Sequence, residues 1–179
     1  VQGSEAGDIL SRSGVKALFY CPELEQGEVA TLLAEQNLPN LTLRIAMHKD
    51  VGNDILAIDW DQFILTGAAY SDERLLQAQQ DINADDIADI LFTSGTTGTP
   101  KGVICSHRQN IRVFSEWVNT VGLRSDDVYL GINPFFHSFG YKAGWFASML
   151  AGSTLVPMRS FDKDKLLSVI QQKRISMWP

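Results

Sequence analysis

A chain of 179 residues, 45% aliphatic or aromatic and 20% charged, carries apolar material for one or two folded cores and too much of it for a disordered segment. Its formal charge of −6, from 15 Lys and Arg against 21 Asp and Glu, excludes the basic surface of a nucleic-acid binder. No run of 18 apolar residues and no secretory leader pattern occurs, so the expectation is a cytoplasmic protein with no membrane span.

The first predicted element is a short helix, Ser4–Ser13, with Ser4 as N-cap and Gly14 as its stop. Val15–Cys21 reads as a strand. Gly27–Gln36 reads as a helix turning Val29, Leu32 and Leu33 inward, and Leu43–Met47 and Ile55–Ile58 as strands on either side of a polar loop. Asp59–Ile82 is less regular, with one helical turn or two expected near Glu73–Gln79. The Gln- and Asp-rich stretch Gln79–Asp86 then leads into the apolar run Ile87–Phe92, a strand, and Val103–Cys105 forms another after a polar loop.

Arg108–Val121 places Ile111, Phe114, Val118 and Val121 at helical spacing, and Gly122 ends it. Val128–Ile132 is a predicted strand, Phe139–Leu150 a largely apolar helix and Ser153–Pro157 a strand. Asp162–Lys173 is a helix capped by Asp162, and Arg174–Trp178 starts a further strand. Strands alternating with helices predict an α/β fold on a parallel or mixed sheet. The turn-rich segment Gly122–Asp127 is the best boundary candidate, separating residues 1–122 from 123–179.

The densest chemistry lies between the two strands at 87–92 and 103–105. Thr93-Ser94-Gly95-Thr96-Thr97-Gly98-Thr99-Pro100-Lys101-Gly102 gathers three glycines, five hydroxyls, a proline and a lysine. Glycines let successive backbone N–H groups face one point, hydroxyls add uncharged donors, and Lys101 adds a mobile cation. That inventory suits a polyphosphate, although a hairpin turn decorated with hydroxyls shares much of it. The spacing is not that of a Walker P-loop, and the pattern after it is strand-like, so no helix N-terminus stands behind the phosphate.

Asp89-Ile90-Leu91-Phe92-Thr93 through Lys101-Gly102-Val103 resembles the phosphate-loop signature of the adenylate-forming superfamily. Asn133-Pro134-Phe135-Phe136-His137-Ser138-Phe139-Gly140 resembles its Pro-x-Phe-His-x-x-Gly motif. With Gly140-Tyr141-Lys142-Ala143-Gly144, that second string is most similar to the acyl-CoA synthetases acting on fatty or bulky acids. The resemblance implies a fragment of the large N-terminal domain, with stacked α/β subdomains and a mostly parallel sheet. Neither the family's later Thr-Glu motif, nor its ribose-binding aspartate, nor the C-terminal catalytic lysine has a counterpart here, so the chain alone is expected to be inactive.

The implied reaction joins a carboxylic acid to ATP as an acyl adenylate and then transfers the acyl group to coenzyme A, with Mg2+ on the phosphates. Ser94, Gly95, Thr96, Thr97, Gly98 and Thr99 match the positions over the phosphates, Lys101 matches the motif lysine, and Thr93 matches a hydroxyl that can face Mg2+. A satisfied strand-end hydroxyl is the alternative for Thr93. His137 is expected beside the acyl carboxylate, with Phe136, Phe139 and Gly140 along the acyl pocket; Lys101 and His137 are the residues expected to act in catalysis. An adenylation domain, a luciferase-like member and a non-catalytic nucleotide-binding scaffold share these motifs and stay open.

The remaining reactive side chains have plainer expectations. His48 reads as a solvated loop residue and His107 as structural at a helix start. Cys21 and Cys105 read as buried core thiols, since no metal-ligand spacing surrounds them. Asp89 reads as a strand-edge or capping carboxylate.

Overall fold

A computed structural model describes residues 3–24, 27–34, 36–47, 51, 54–93, 99–158 and 161–178, and across them strands and helices alternate in an α/β fold with mostly parallel pairing. The described residues form two compact units. One takes those of Val1–Ile82 and Thr96–Pro100, the other those of Asn83–Gly95 and Lys101–Pro179. The turn-rich segment at 122–127 lies inside the second unit.

The first unit opens with α1 (Gly3–Ser13), β1 (Ala17–Tyr20), β2 (Glu23–Leu24), β3 (Gly27–Glu28) and α2 (Val29–Leu33). It continues with β4 (Leu43–Ala46), β5 (Ala57–Asp59), α3 (Trp60–Gly67) and α4 (Asp72–Gln80). β1, β4 and β5 lie side by side in that order, all parallel, while β2 and β3 pair antiparallel. The core holds Tyr20, Val29, Leu33 and Ala46, with Ala6, Leu10 and Leu18 against it. The Tyr20 hydroxyl donates to the buried Asp54 at 2.9 Å; burial first, and then that bond, raise the phenol pKa.

Three expectations change in this unit. Residues 27–28 are a short strand, so the helix expected over Gly27–Gln36 contracts to α2. In Asp59–Ile82 the helical turns expected near Glu73–Gln79 are α4, and a second helix, α3, precedes them. Neither buries a residue, and each starts on a side-chain cap, Asp59 accepting from Gln62 N–H at 2.7 Å and Ser71 from Arg74 N–H. Cys21 is exposed, not a core thiol, because β1 ends one residue before it.

The second unit begins with β6 (Ile87–Thr93) and β7 (Lys101–Ser106), an antiparallel hairpin, followed by α5 (His107–Val121). Ser106 and Gln109 close a capping box at the start of α5, and Gly122, with φ 70°, ends it in the left-handed region. β8 (Val128–Gly131) and β9 (Thr154–Pro157) pair in parallel. Between them run a π-helical segment (Phe139–Phe146) and α6 (Ala147–Ala151), and α7 (Lys163–Lys173) follows with Asp162 as its N-cap. Leu123, Tyr129 and Ala147 form the core here, packed by Trp117, Val118, Leu155 and Met177. Burial pushes the Tyr129 phenol up to about 12. Among the described residues no helix is long and apolar enough to cross a membrane.

Two expectations change in this unit as well. The helix over Phe139–Leu150 is π-helical for its first eight residues and α-helical only from Ala147. The strand expected over 174–178 is a single parallel bridge, Met177 to Tyr129. Arg174 at φ 53° turns the chain, and Ser176 then clamps the neighbouring strand: its Oγ accepts from Val128 N–H at 2.9 Å and donates to Asp127 Oδ1 at 2.6 Å.

The Ser176 hydroxyl, then the Arg124 N–H, hold the Asp127 carboxyl below its ordinary 3.8. A depressed carboxyl stabilises the fold above its unfolded value, and that contribution disappears as pH falls through the folded value. Ser176→Ala should therefore be less stable than the parent at about pH 7, with the gap narrowing by about pH 3 as the Asp127 share is lost. The Val128 N–H share is independent of pH and should persist. Urea unfolding at both pH values checks this; an unchanged gap would remove Asp127 from the clamp.

Candidate nucleotide and acyl site

Strand pairing fixes the two residues that flank the glycine- and hydroxyl-rich stretch. From Asp89 to Thr93 the β6–β7 hairpin runs in register to a terminal pair, Thr93 opposite Lys101. Both residues are exposed, and the Thr93 hydroxyl lies 3.5 Å from the Lys101 carbonyl, a long and weak contact. The Lys101 side chain thus leaves the hairpin at the mouth of the loop, and Thr99, also exposed, stands two residues before it. Ser94, Gly95, Thr96, Thr97 and Gly98 lie outside the described residues, as does His48.

For Mg2+ the described residues offer little. Thr93 can lend one hydroxyl oxygen, and the described residues contain no group of three His, Cys, Asp or Glu side chains that could hold a metal. Such a donor set does not make a magnesium cage, since Mg2+ takes six oxygens, usually with carboxylate and phosphate among them.

The second motif is a tight turn leading into the π segment. Pro134 C=O accepts from His137 N–H at 3.0 Å, and His137 C=O accepts from Tyr141 N–H at 2.9 Å. His137 Nδ1 accepts from Phe139 N–H at 3.3 Å, so a neutral ring carries its proton on Nε2 and can donate it outward. Phe136 is 86% exposed and His137 and Phe139 are exposed too, while the Phe139 ring meets Trp117 edge-on. Gly140 is buried. A Cβ there would press into the carbonyl oxygens of Pro134 and Asn133, so glycine is required for backbone to pack on backbone. An apolar cavity of about 680 Å³ lies behind Phe135, lined also by Trp145, Met149 and Leu155; His137, Phe136 and Phe139 do not line it.

A buried polar cluster joins the two motifs. Lys142 Nζ lies 2.9 Å from Asp89 Oδ1 and donates to Asn110 Oδ1 at 2.8 Å, while Asn110 Nδ2 donates to Asp89 Oδ2 at 2.5 Å. The Lys142 and Asp89 side chains are only 6% and 10% exposed. Asp89 Oδ1 meets the ammonium as an ion pair without a well-directed hydrogen bond. Burial works to lower the Lys142 pKa, but its pairing with Asp89 and the Cys105 thiol outweighs that and raises it. Ala143 C=O, one residue on, accepts from Trp117 Nε1 at 3.2 Å and from the Tyr129 hydroxyl at 3.4 Å.

Asp89 is therefore a buried, ion-paired carboxylate and not a capping one, and neither Asn110 nor Lys142 stood out from the sequence. A usable signal existed: Asp89 is the one charge in the run Ile87–Phe92, and Lys142 the one charge in Phe139–Leu150. Charges isolated in apolar runs are seldom buried unless paired, so two of opposite sign are candidates for each other.

The family model described as AMP-binding enzyme matches residues 1–179. A (7a-methyl-1,5-dioxo-octahydro-1H-inden-4-yl)propanoyl:CoA ligase of Mycobacterium tuberculosis is 42% identical over 98% of this chain and 34% of its own length. The Rhodococcus jostii ligase of the same description is 38% identical over 98% of this chain and 35% of its own. The chain thus spans about a third of the length of these curated relatives. Among solved structures, the N-terminal domain of FACL13 from Mycobacterium tuberculosis, with inhibitor bound, superposes with a TM-score of 0.76 at 27% identity, covering 99% of this chain and 40% of that one.

Gly140→Ala in the full-length protein should destabilise it by about 1–3 kcal/mol, the usual scale for forcing atoms into a packed site. Denaturant unfolding measures this. Wild-type stability in the variant would mean that the 133–140 turn opens freely and that glycine serves some other purpose there.

Proposed function

The chain belongs to the AMP-binding enzyme family, and on that premise we propose that the full-length protein activates a carboxylic acid with ATP and transfers the acyl group to coenzyme A. A carboxylate oxygen attacks the α-phosphorus and pyrophosphate leaves; the CoA thiol then attacks the acyl carbon and AMP leaves. The first step brings an anion to a polyphosphate, so it depends on positioning and on charge stabilisation at the β- and γ-phosphates. The observation that carries this reading is the hairpin register that sets Thr93 against Lys101 at the mouth of the glycine- and hydroxyl-rich loop.

In this reading Lys101 directs its ammonium at the phosphates, and the loop from Thr93 to Thr99 supplies amides and hydroxyls around them. Mg2+ brought by the nucleotide would neutralise further phosphate charge, and Thr93 could lend it one oxygen. His137 donates from Nε2 to the acyl carboxylate or the adenylate carbonyl, a role for which the Nδ1 contact to Phe139 prepares the ring. Phe136 and Phe139 provide apolar surface beside it, and Gly140 keeps the turn tight enough to present all three. The acid class proposed is bulky and alicyclic, on the strength of the two curated relatives and the exposed aromatic residues of the second motif.

The deciding experiment is a pyrophosphate-release screen of the full-length protein against fatty, aromatic and fused-ring acids, with and without CoA. Release with bulky alicyclic acids and CoA-dependent thioester formation are expected; residues 1–179 alone should release none. Lys101→Ala should slow adenylation by about 10- to 100-fold, the worth of one hydrogen bond to a charged group. His137→Ala should impair the response to acid while leaving the KM for ATP nearly unchanged. Loss of ATP affinity with an intact acid response would move His137 out of the acyl site.

A further inference from the structure

Lys142 carries a full charge into an otherwise apolar segment, and each of its neighbours sits on a different element. Asp89 lies on β6, Cys105 on β7 and Asn110 on α5, while Lys142 itself belongs to the π segment. Asp89 and Cys105 are cross-strand partners. Lys142 is therefore bound at one end of the hairpin whose other end is the Thr93–Lys101 pair. The register shift between Ile87 and Asp89 leaves one unmatched residue on β6, a bulge of the kind that re-aims a side chain. Side chains alternate along a strand, so Asp89 and Thr93 share a face, four residues or roughly 13 Å apart.

The same lysine is tied to the acyl side. It follows His137 by five residues, and the Tyr141 N–H bond to the His137 carbonyl joins the turn to the π segment just before it. The Ala143 carbonyl, just after it, is held by Trp117 and Tyr129, so the segment is fixed on both sides of the lysine. π-helical turns concentrate at functional sites, and this one sets the buried ammonium against the hairpin base.

We propose that Lys142, with Asp89 and Asn110, is a positioning residue that braces the base of the phosphate-loop hairpin to the segment carrying His137, holding the nucleotide and the acid in one reactive geometry. This rests on the acid-activation reading given above. A cluster that served the fold alone could be replaced by apolar residues without loss, since buried ionic groups are often exchanged for well-packed apolar ones at no cost in stability. A brace cannot be replaced in that way, because apolar contact does not fix the hairpin and the π segment at hydrogen-bond precision.

The test is the triple variant Asp89→Val, Asn110→Leu, Lys142→Met in the full-length protein, followed by thermal melting, pyrophosphate-release kinetics and hydrogen exchange of amides 139–146 with and without Mg-ATP. We expect a melting temperature near that of the parent, a kcat for adenylation lower by about 10- to 100-fold, the scale of a small misplacement of reacting groups, and ATP-induced protection of 139–146 present in the parent and absent in the variant. Parental kcat together with parental protection in the triple variant overturns the proposal. Should the triple variant fail to melt cooperatively, Lys142→Arg keeps the charge and moves the donor; a kcat equal to the parent's then overturns it. A parent that releases pyrophosphate with no acid defeats the functional reading alone, because the exchange measurement needs only Mg-ATP. A parent whose segment gains no protection from Mg-ATP overturns the brace itself.

Discussion

The motifs of the second unit converge on one buried opposite-charge pair, Lys142 with Asp89. Neither group can be left dry and alone, since an unpaired buried charge is several kcal/mol out of balance, and removing one member of such a pair typically destabilises by about 3–5 kcal/mol. The requirement propagates outward. β6 needs its bulge to aim the carboxylate inward, α5 has to deliver Asn110 to both partners, and the segment after the second motif must place an ammonium where three elements converge. Two of these, the bulge and the π segment, are departures from regular structure, and both meet at the charge pair.

Around that fixed point the chemistry is arranged by exposure. The groups proposed to meet a ligand, the Lys101 ammonium, the Thr93 hydroxyl and the imidazole of His137, are exposed. The groups proposed to place them are buried a few residues away along the chain: Asp89 before Thr93, Lys142 after His137, and Gly140 packed on the Pro134 and Asn133 carbonyls. Loops positioned by a scaffold commonly carry function. Here the scaffold beneath the loops is itself polar, and so it sets distance and direction in a way that apolar packing does less sharply.

Much of the α/β pattern was legible from apolar periodicity and caps: β1, β4, β6, α5 and α7 fall where those signals put them, to within a residue or two at most ends. Other parts were harder to see. α3 has Trp60, Phe63 and Ile64 at helical spacing behind an Asp59 cap, but it buries no residue, so its apolar side chains read as an irregular stretch. The π segment has the composition of an apolar helix, and its wider turn depends on partners for Ala143 that lie elsewhere in the chain. In the candidate site, the residues proposed to face a ligand come from the two motifs that resemble the family's. The Lys142 cluster is a tertiary fact, visible in one sequence only as two lonely charges of opposite sign.

The bulge at Ala88 also limits how this chain can change length. Two-residue alternation makes the face of Thr93 a question of parity, counted from the anchored carboxylate at Asp89. One residue gained or lost anywhere from 90 to 92 would turn Thr93 to the opposite face and hand its place to a neighbour, although every residue of both motifs would still be present. Insertions of a single residue are tolerable only beyond the Thr93–Lys101 pair, within the loop itself, or before the bulge in the linker at 81–86. The strand between anchor and loop behaves as a ruler with an even number of divisions, and its length is fixed more strictly than its composition.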